Sequence, residues 1–292
     1  MIGGRTGPWA RPADRGPARY AGAVSGTEKP PPIDVSVAHP ARIYDYWLGG
    51  KDNFAADRAA GDKIIELRPE IVPGVRANRR FLGRAVRYLA VEAGVRQFLD
   101  IGTGLPSAHN THEVSQDAAP DARVVYVDND PIVLAHARAL LTSTPEGKTA
   151  YLSADLRDGE AILAGAAETL DLSRPVALLF LMTLQYVPDS DDPHAIVAGY
   201  LDALPAGSYL AVSDTIMEGD DEVLAESARR MNQGMGGRVT QTRRPLPEFA
   251  RFFDGLELLA PGIVPLNRWR PGPDEPAFER DIPAVAGLAR KP

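Results

Sequence analysis

The sequence predicts an α/β protein built on a doubly wound, mostly parallel sheet, and three observations carry that expectation. From residue 97 onward short apolar runs alternate with helical stretches, the order that right-handed βαβ units require. One run, VALLFLM at 176–182, is apolar throughout, as a strand covered on both faces must be. Hydrophobic residues make up 44% of the 292, ample for a buried core.

Taken in order, residues 1–33 are rich in Gly, Pro and Arg, lack periodicity and end in Lys29-Pro30-Pro31-Pro32, so they read as a disordered or loosely attached arm. Residues 34–95 form a helical segment ahead of the sheet. In it Phe81, Leu82, Ala85, Val86 and Leu89 share one face of a helix predicted over 76–93, while Arg76, Arg80, Arg84 and Arg87 lie elsewhere as a solvated face. The core, 96–292, has strands expected at Gln97–Ile101, Arg123–Val127, Thr149–Ser153, Val176–Met182 and Ser208–Ser213. Helices fall between and after them near 108–118, 131–143, 158–170, 192–204 and 220–232. GMGGRV at 234–239 reads as a flexible loop and LPEFARFF at 246–253 as a short helix. Leu256–Leu259 and Val285–Arg290 read as strands of a closing hairpin. There is no internal repeat.

Composition narrows the chemistry. With no cysteine there are no disulfides, thiolate nucleophiles or cysteine zinc sites. The net charge of −7, from 39 acidic and 32 basic residues, repels a polyanion, so nucleic acid is not an expected partner. No apolar run approaches the roughly 18 residues of a membrane span, and the N-terminus has no apolar export segment, so the expected location is the cytoplasm and no membrane partner is expected.

The stretch FLDIGTGLPS at 98–107 carries the first functional signal. A glycine turn after the first strand is the usual nucleotide cradle of a doubly wound sheet. The dinucleotide pattern G-x-G-x-x-G fits Gly102 and Gly104 but meets Ser107 where its third glycine belongs. That counts against NAD, as does Asp100, whose charge repels a pyrophosphate and favours a cation. The second strand ends at Asp128, able to accept two hydrogen bonds from a ribose diol. The third is followed by Asp155-Leu156, placed to read an adenine amino group and cover its ring. Three acidic residues at successive strand ends suit a nucleoside with positive charge and no phosphate, and S-adenosylmethionine is such a molecule. Each aspartate also has a plainer reading as a helix cap or turn former.

The pattern D-x-G-x-G, an acidic end to strand two and Asp-Leu after strand three resembles the class I S-adenosylmethionine-dependent methyltransferases. More narrowly, RIYDYWLGGKDNFAADR at 42–58, NRRFLGRAVRYLA at 78–90, DIGTGLPSAHNTHEV at 100–114, VVYVDNDPIVLAHARALL at 124–141 and the ending GLARKP resemble a bacterial S-adenosyl methyltransferase family long catalogued as of unknown function, over residues 36–292. The resemblance implies a seven-stranded sheet, a methyl donor held by Asp100, Gly102, Thr103 and Gly104 beneath the methionine part, Asp128 and Asn129 at the ribose, and Asp155 and Leu156 at the adenine. Leu105-Pro106 is then the family's own form of the loop.

Ahead of the sheet, Tyr44, Tyr46 and Trp47 lie beside Gly49-Gly50 and the polar Lys51-Asp52-Asn53. These aromatics either form a lid over the sulfonium and acceptor or simply pack the segment onto the core; the resemblance favours the lid, with Tyr44 and Asn53 as its site residues. Asn78 and Arg79 are placed to reach the methionine carboxylate, or Arg79 is solvated. His109 and His112 have a spacing that can hold a metal, but no third ligand is evident and none is expected. Methyl transfer needs alignment and exclusion of water more than a base. After strand four, where the superfamily places acceptor-facing groups, Thr183, Gln185 and Tyr186 are candidates, Thr183 also counting among donor contacts. His112 or Tyr186 serves as base, or either is structural. The expected activity is transfer of a methyl group from S-adenosylmethionine to a small molecule. Two rivals stand beside it: an NAD(P)-linked oxidoreductase, and a non-enzymatic S-adenosylmethionine sensor.

Overall fold

A computed structural model describes residues 34–292 apart from 108, 134, 136–142, 218–221, 237–239, 274 and 276–280. The arm expected over 1–33 lies outside the described residues, as does most of the helix expected near 131–143, including His136.

Five strands, β1 (Gln97–Ile101), β2 (Arg123–Asp128), β3 (Lys148–Ser153), β4 (Ala177–Leu181) and β5 (Tyr209–Met217), lie parallel in the order β3-β2-β1-β4-β5. Four more complete the sheet: β6 (Arg244–Pro245), β7 (Glu257–Leu258), β8 (Val264–Pro265) and β9 (Ala284–Arg290). β9 runs antiparallel between β5 and β7, closing the sheet as the expected hairpin does. Among the described residues seven strands form the continuous path, and the two-residue β6 and β8 bring the total to nine rather than seven. β5 also runs past the expected end at Ser213. Asp214 and Thr215 look like a polar strand end in the sequence, yet β9 pairs along them as far as Thr215 opposite Ala284, and both are buried.

Among the described residues, helices with both ends defined include α1 (Pro40–Leu48), α2 (Ala55–Leu67), α3 (Ile71–Val91), α4 (Thr111–Ala118), α5 (Gly159–Ala166), α6 (Pro193–Asp202), α7 (Glu222–Gly234) and α8 (Leu246–Ala250). α3 begins at Ile71 rather than Arg76 because Pro73 falls in its first turn, where no intrahelical N–H is needed. α7 carries through Gly234, at the start of the expected loop, where glycine lets α7 come close to α2: an added Cβ would lie 3.0 Å from Ala60 Cβ.

The strand pleat sorts side chains between two layers. Phe98 points to the side of α3 and joins Phe81, Val86 and Leu89, while Leu99 and Ile101 join Ile162 of α5 and Tyr200 of α6 on the other. Each such buried side chain contributes about 1.5–3 kcal/mol. A third, smaller core gathers Ile43 and Trp47 of α1, Ile64 of α2, Val75 of α3, and Met231 of α7 with Met235 just beyond it. It forms a cap, and a cavity lies between cap and sheet.

Candidate active site

The strand order reverses between β1 and β4, and the chains leaving those two strands diverge there, opening the crevice in which ligands of such sheets bind. The cavity at this point measures about 310 Å³. Its floor is made by the strand ends. After β1 the chain turns across β2: the amides of Gly102 and Thr103 both donate to Val127 O, at 2.7 and 3.2 Å. Gly102 has φ +72°, and a Cβ there would lie 2.3 Å from Thr183 Cγ2. The site therefore requires glycine both for conformation and for room. Thr183, arriving from β4, lies with its hydroxyl 3.2 Å from Ile101 O and 3.3 Å from Gly102 O, tying the two diverging loops together. Gly104, at φ +68°, donates its N–H to Asp128 Oδ2 at 2.8 Å. Leu105 is buried in the core on the α3 side, which is what the loop does where the dinucleotide pattern has none of its glycines.

Three carboxylates face this floor. Asp100 is buried, accepts the Thr111 hydroxyl at 2.6 Å, and is pushed up to about 6 by burial, against the opposing pull of that bond and of Arg79. Burial also raises Asp128, partly offset by the N–H groups of Asp130 and Gly104 and by His39. Asp155 lines the cavity with both oxygens engaged by Arg157, at 2.7 Å each, and Arg157 reaches on to Asp191. Leu156 and the exposed Asn129 complete this end.

From the cap, Tyr44 donates to Val75 O at 3.1 Å and accepts from Asn78 Nδ2 at 3.0 Å, and Asn78 Oδ1 accepts the hydroxyl of Ser213 on β5 at 2.7 Å. This chain of bonds fastens α1 through α3 to the sheet. Trp47, Leu48, Ile64, Val75, Met182 and Met231 form an apolar wall, and Gln185 and Gln241, joined at 2.9 Å, a polar one. Met182 holds a left-handed backbone, φ +57°, a strained conformation of the kind that concentrates at functional sites. Tyr186 also lines the cavity, and burial chiefly, then Asp214, raises its hydroxyl so far that it stays protonated at neutral pH.

The structure thus brings Tyr44, Asn78, Arg79, Asp100, Gly102, Thr103, Gly104, Asp128, Asn129, Asp155, Leu156, Thr183, Gln185 and Tyr186 to one cavity. It does not bring His112 or Asn53 to the lining. The His112 amide donates to the Tyr126 hydroxyl at 2.7 Å and its Nδ1 lies 2.8 Å from the same oxygen, inside the core, with burial lowering its pKa. Asn53 instead bonds Asp45 and Gly50 O, and it is Asp45 that lines the cavity. A Cβ on Gly50 would lie 1.9 Å from Asp45 Oδ1, so the second glycine of Gly49-Gly50 makes room for that carboxylate. The sequence reading missed His39, Asp45, Thr215, Met231 and Gln241. Asp45 stood inside a segment already singled out; the others carry no local signal, since only tertiary packing brings them in.

The family model described as S-adenosyl methyltransferase matches residues 26–292. Among solved structures, a DUF574-family protein from Streptomyces avermitilis is 46% identical, with a TM-score of 0.86, over 89% of this chain and 100% of that one. A candidate methyltransferase from Thermobifida fusca is 41% identical, with a TM-score of 0.80, over 91% and 99%. No curated protein matches.

Proposed function

The chain belongs to the S-adenosyl methyltransferase family, and on that premise we propose that the acceptor it methylates is a small, largely apolar molecule bound between the cap and the sheet. The carrying observation is the composition of the cavity between cap and sheet: strand-end carboxylates and glycines on the floor, and an apolar wall from Trp47, Ile64, Val75, Met182 and Met231 above. Enclosure by the cap supports a small molecule over a polymer, and the net charge of −7 supports an acceptor that is not nucleic acid. Family membership favours neither the oxidoreductase nor the sensor reading.

The residues present fit S-adenosylmethionine. Gly102 and Gly104 both hold positive φ, and nothing lies within 4 Å of where a Gly104 Cβ would stand, so the backbone can approach a ligand closely. Asp100 and Asp128 offer carboxylates where a cationic ligand favours them over a phosphate. In this reading Asp100, Gly102, Thr103, Gly104 and Thr183 hold the methionine part with Asn78 and Arg79, Asp128 and Asn129 the ribose, and Asp155 and Leu156 the adenine. When bound, S-adenosylmethionine supplies a methyl group activated by the adjoining sulfonium.

The chain's own residues then orient the acceptor and exclude water. Tyr44 and Tyr186 carry hydroxyls raised by burial, so they donate hydrogen bonds and do not take the acceptor's proton at neutral pH. His112, bonded to Tyr126 and away from the cavity lining, is not placed to act as a base. The test is transfer of label from methyl-labelled S-adenosylmethionine in a bacterial extract fractionated by size. Label in the small-molecule fraction supports the reading; label confined to protein or nucleic acid overturns it.

A further inference from the structure

His39 brings the cap into contact with the loop after β2. It precedes α1 and lines the cavity, and its Nδ1 lies 2.9 Å from Oδ2 of Asp130, two residues beyond Asp128. Asp130 Oδ2 is buried, and among the described residues the cationic or hydrogen-donating groups against it are this imidazole and, farther off at 3.9 Å, Nε of Arg42. Burial alone would raise the Asp130 carboxyl, but the bond and charge of His39, with help from the Ile132 amide and Arg42, bring it below its ordinary value, so Asp130 is a carboxylate. A carboxylate only accepts, hence Nδ1 carries the hydrogen. The Ala41 amide, 3.3 Å from the same nitrogen, can donate to it as the cap of α1 only in the tautomer whose hydrogen sits on Nε2. The arrangement is fixed from both sides: Asp57, fully buried in α2, accepts the His39 amide at 2.9 Å, and Asp130 Oδ1 accepts the Ile132 amide at 2.9 Å while its own amide donates to Asp128 Oδ1. A continuous path of bonds therefore runs from α2 through His39 and Asp130 to Asp128.

We propose that His39 is a positioning residue of the donor site: clasped by Asp130, it fastens the cap over the nucleoside end and holds Asp128 and Asn129 in the geometry that binds S-adenosylmethionine. The inference rests on the family's cofactor and is independent of the acceptor. It makes donor binding depend on a contact that lies outside the glycine loop and both sheet faces, and it makes the two partners act as one unit.

Calorimetric titration with S-adenosylmethionine on the wild type, His39→Ala, Asp130→Asn and the double variant tests this. Asp130→Asn keeps the Oδ1 acceptor for Ile132 and leaves the start of α1 untouched, so a loss there is not a loss of helix capping. Each single variant is expected to bind about tenfold more weakly, and the double variant no more weakly than either, because the second change removes nothing further. His39→Asn, which can place an amide N–H near the Nδ1 position, restores most of the affinity. Singles that bind like the wild type, a double variant whose loss is the product of the two, or His39→Asn as weak as His39→Ala would each overturn the inference while leaving the cofactor in place. A folded wild type that does not bind S-adenosylmethionine overturns both. Should His39→Ala fail to fold, Asp130→Asn and His39→Asn decide the matter alone.

Discussion

Gly102 and Tyr44 face the same cavity from regions held together in different ways. Gly102 is fixed by backbone: a positive φ, an amide bonded to Val127 O, and Thr183 where a side chain would go. Tyr44 is fixed through its side-chain hydroxyl, bonded to Val75 O and Asn78 of α3, and through Asn78 to Ser213 of β5, partners from two distant parts of the chain. The floor is rigid because the sheet dictates it; the cap is held by a few polar links and a small core of its own. A donor shared across a superfamily belongs on the first kind of surface, and an acceptor that differs between members belongs on the second.

If that contrast is right, the floor should fail abruptly. Gly102→Ala puts a Cβ 2.3 Å from Thr183 in a left-handed conformation, which costs about 2–4 kcal/mol of stability and removes donor binding. Thermal unfolding and titration with S-adenosylmethionine read both losses. A variant that binds normally would show the floor to be as forgiving as the cap.

The cap should give by degrees. Asn78→Ala removes the partner of both Tyr44 and Ser213 in a buried setting and costs about 1–3 kcal/mol. Tyr44→Phe removes one hydroxyl and costs about 1 kcal/mol. Denaturant unfolding orders the two, and Tyr44→Phe should leave donor affinity nearly unchanged. A large loss of donor affinity would move Tyr44 from the acceptor's side to the donor's.

The subtlest test is pH. Burial pushes Asp214, on β5 behind the cavity wall, up to about 8, and Asp100 up to about 6. Folded pKa values above the unfolded value of a carboxyl mean that the native state holds extra protons, so stability is full below about pH 4 and falls as pH rises through 6 for Asp100 and 8 for Asp214. Asp214→Asn should flatten the upper part of that fall, and Asp100→Asn the lower, in unfolding curves taken from pH 4 to 9. Donor affinity should move oppositely, rising with pH through about 6 as Asp100 becomes charged beneath a cationic ligand.

How much of this was legible in the sequence follows the same division. The parallel strands and the floor residues could be read because a turn that needs glycine, and a strand that needs apolar residues, write their demands locally. The family resemblance implies seven strands, and the two-residue strands beyond them, such as Val264–Pro265, carry no signal of their own because they exist only through a partner. β5 was cut short because a buried aspartate looks, in sequence, like an exposed one. His112 seemed a site residue for its position after the glycine loop, yet α4 turns it inward to Tyr126, and nothing in its neighbours announces that rotation. His39, Met231 and Gln241 could not be found without the fold that assembles them.

The account stands on the strand-end floor as the donor site, with Asp128 at its centre. Calorimetric titration of the wild type and Asp128→Ala with S-adenosylmethionine, and with NAD in parallel, tests that most directly. The account predicts saturable binding of S-adenosylmethionine to the wild type, a loss of about tenfold to a hundredfold in Asp128→Ala, as removal of a charged acceptor implies, and no binding of NAD. Binding that survives the substitution unchanged, or a folded wild type that takes NAD and not S-adenosylmethionine, would contradict it.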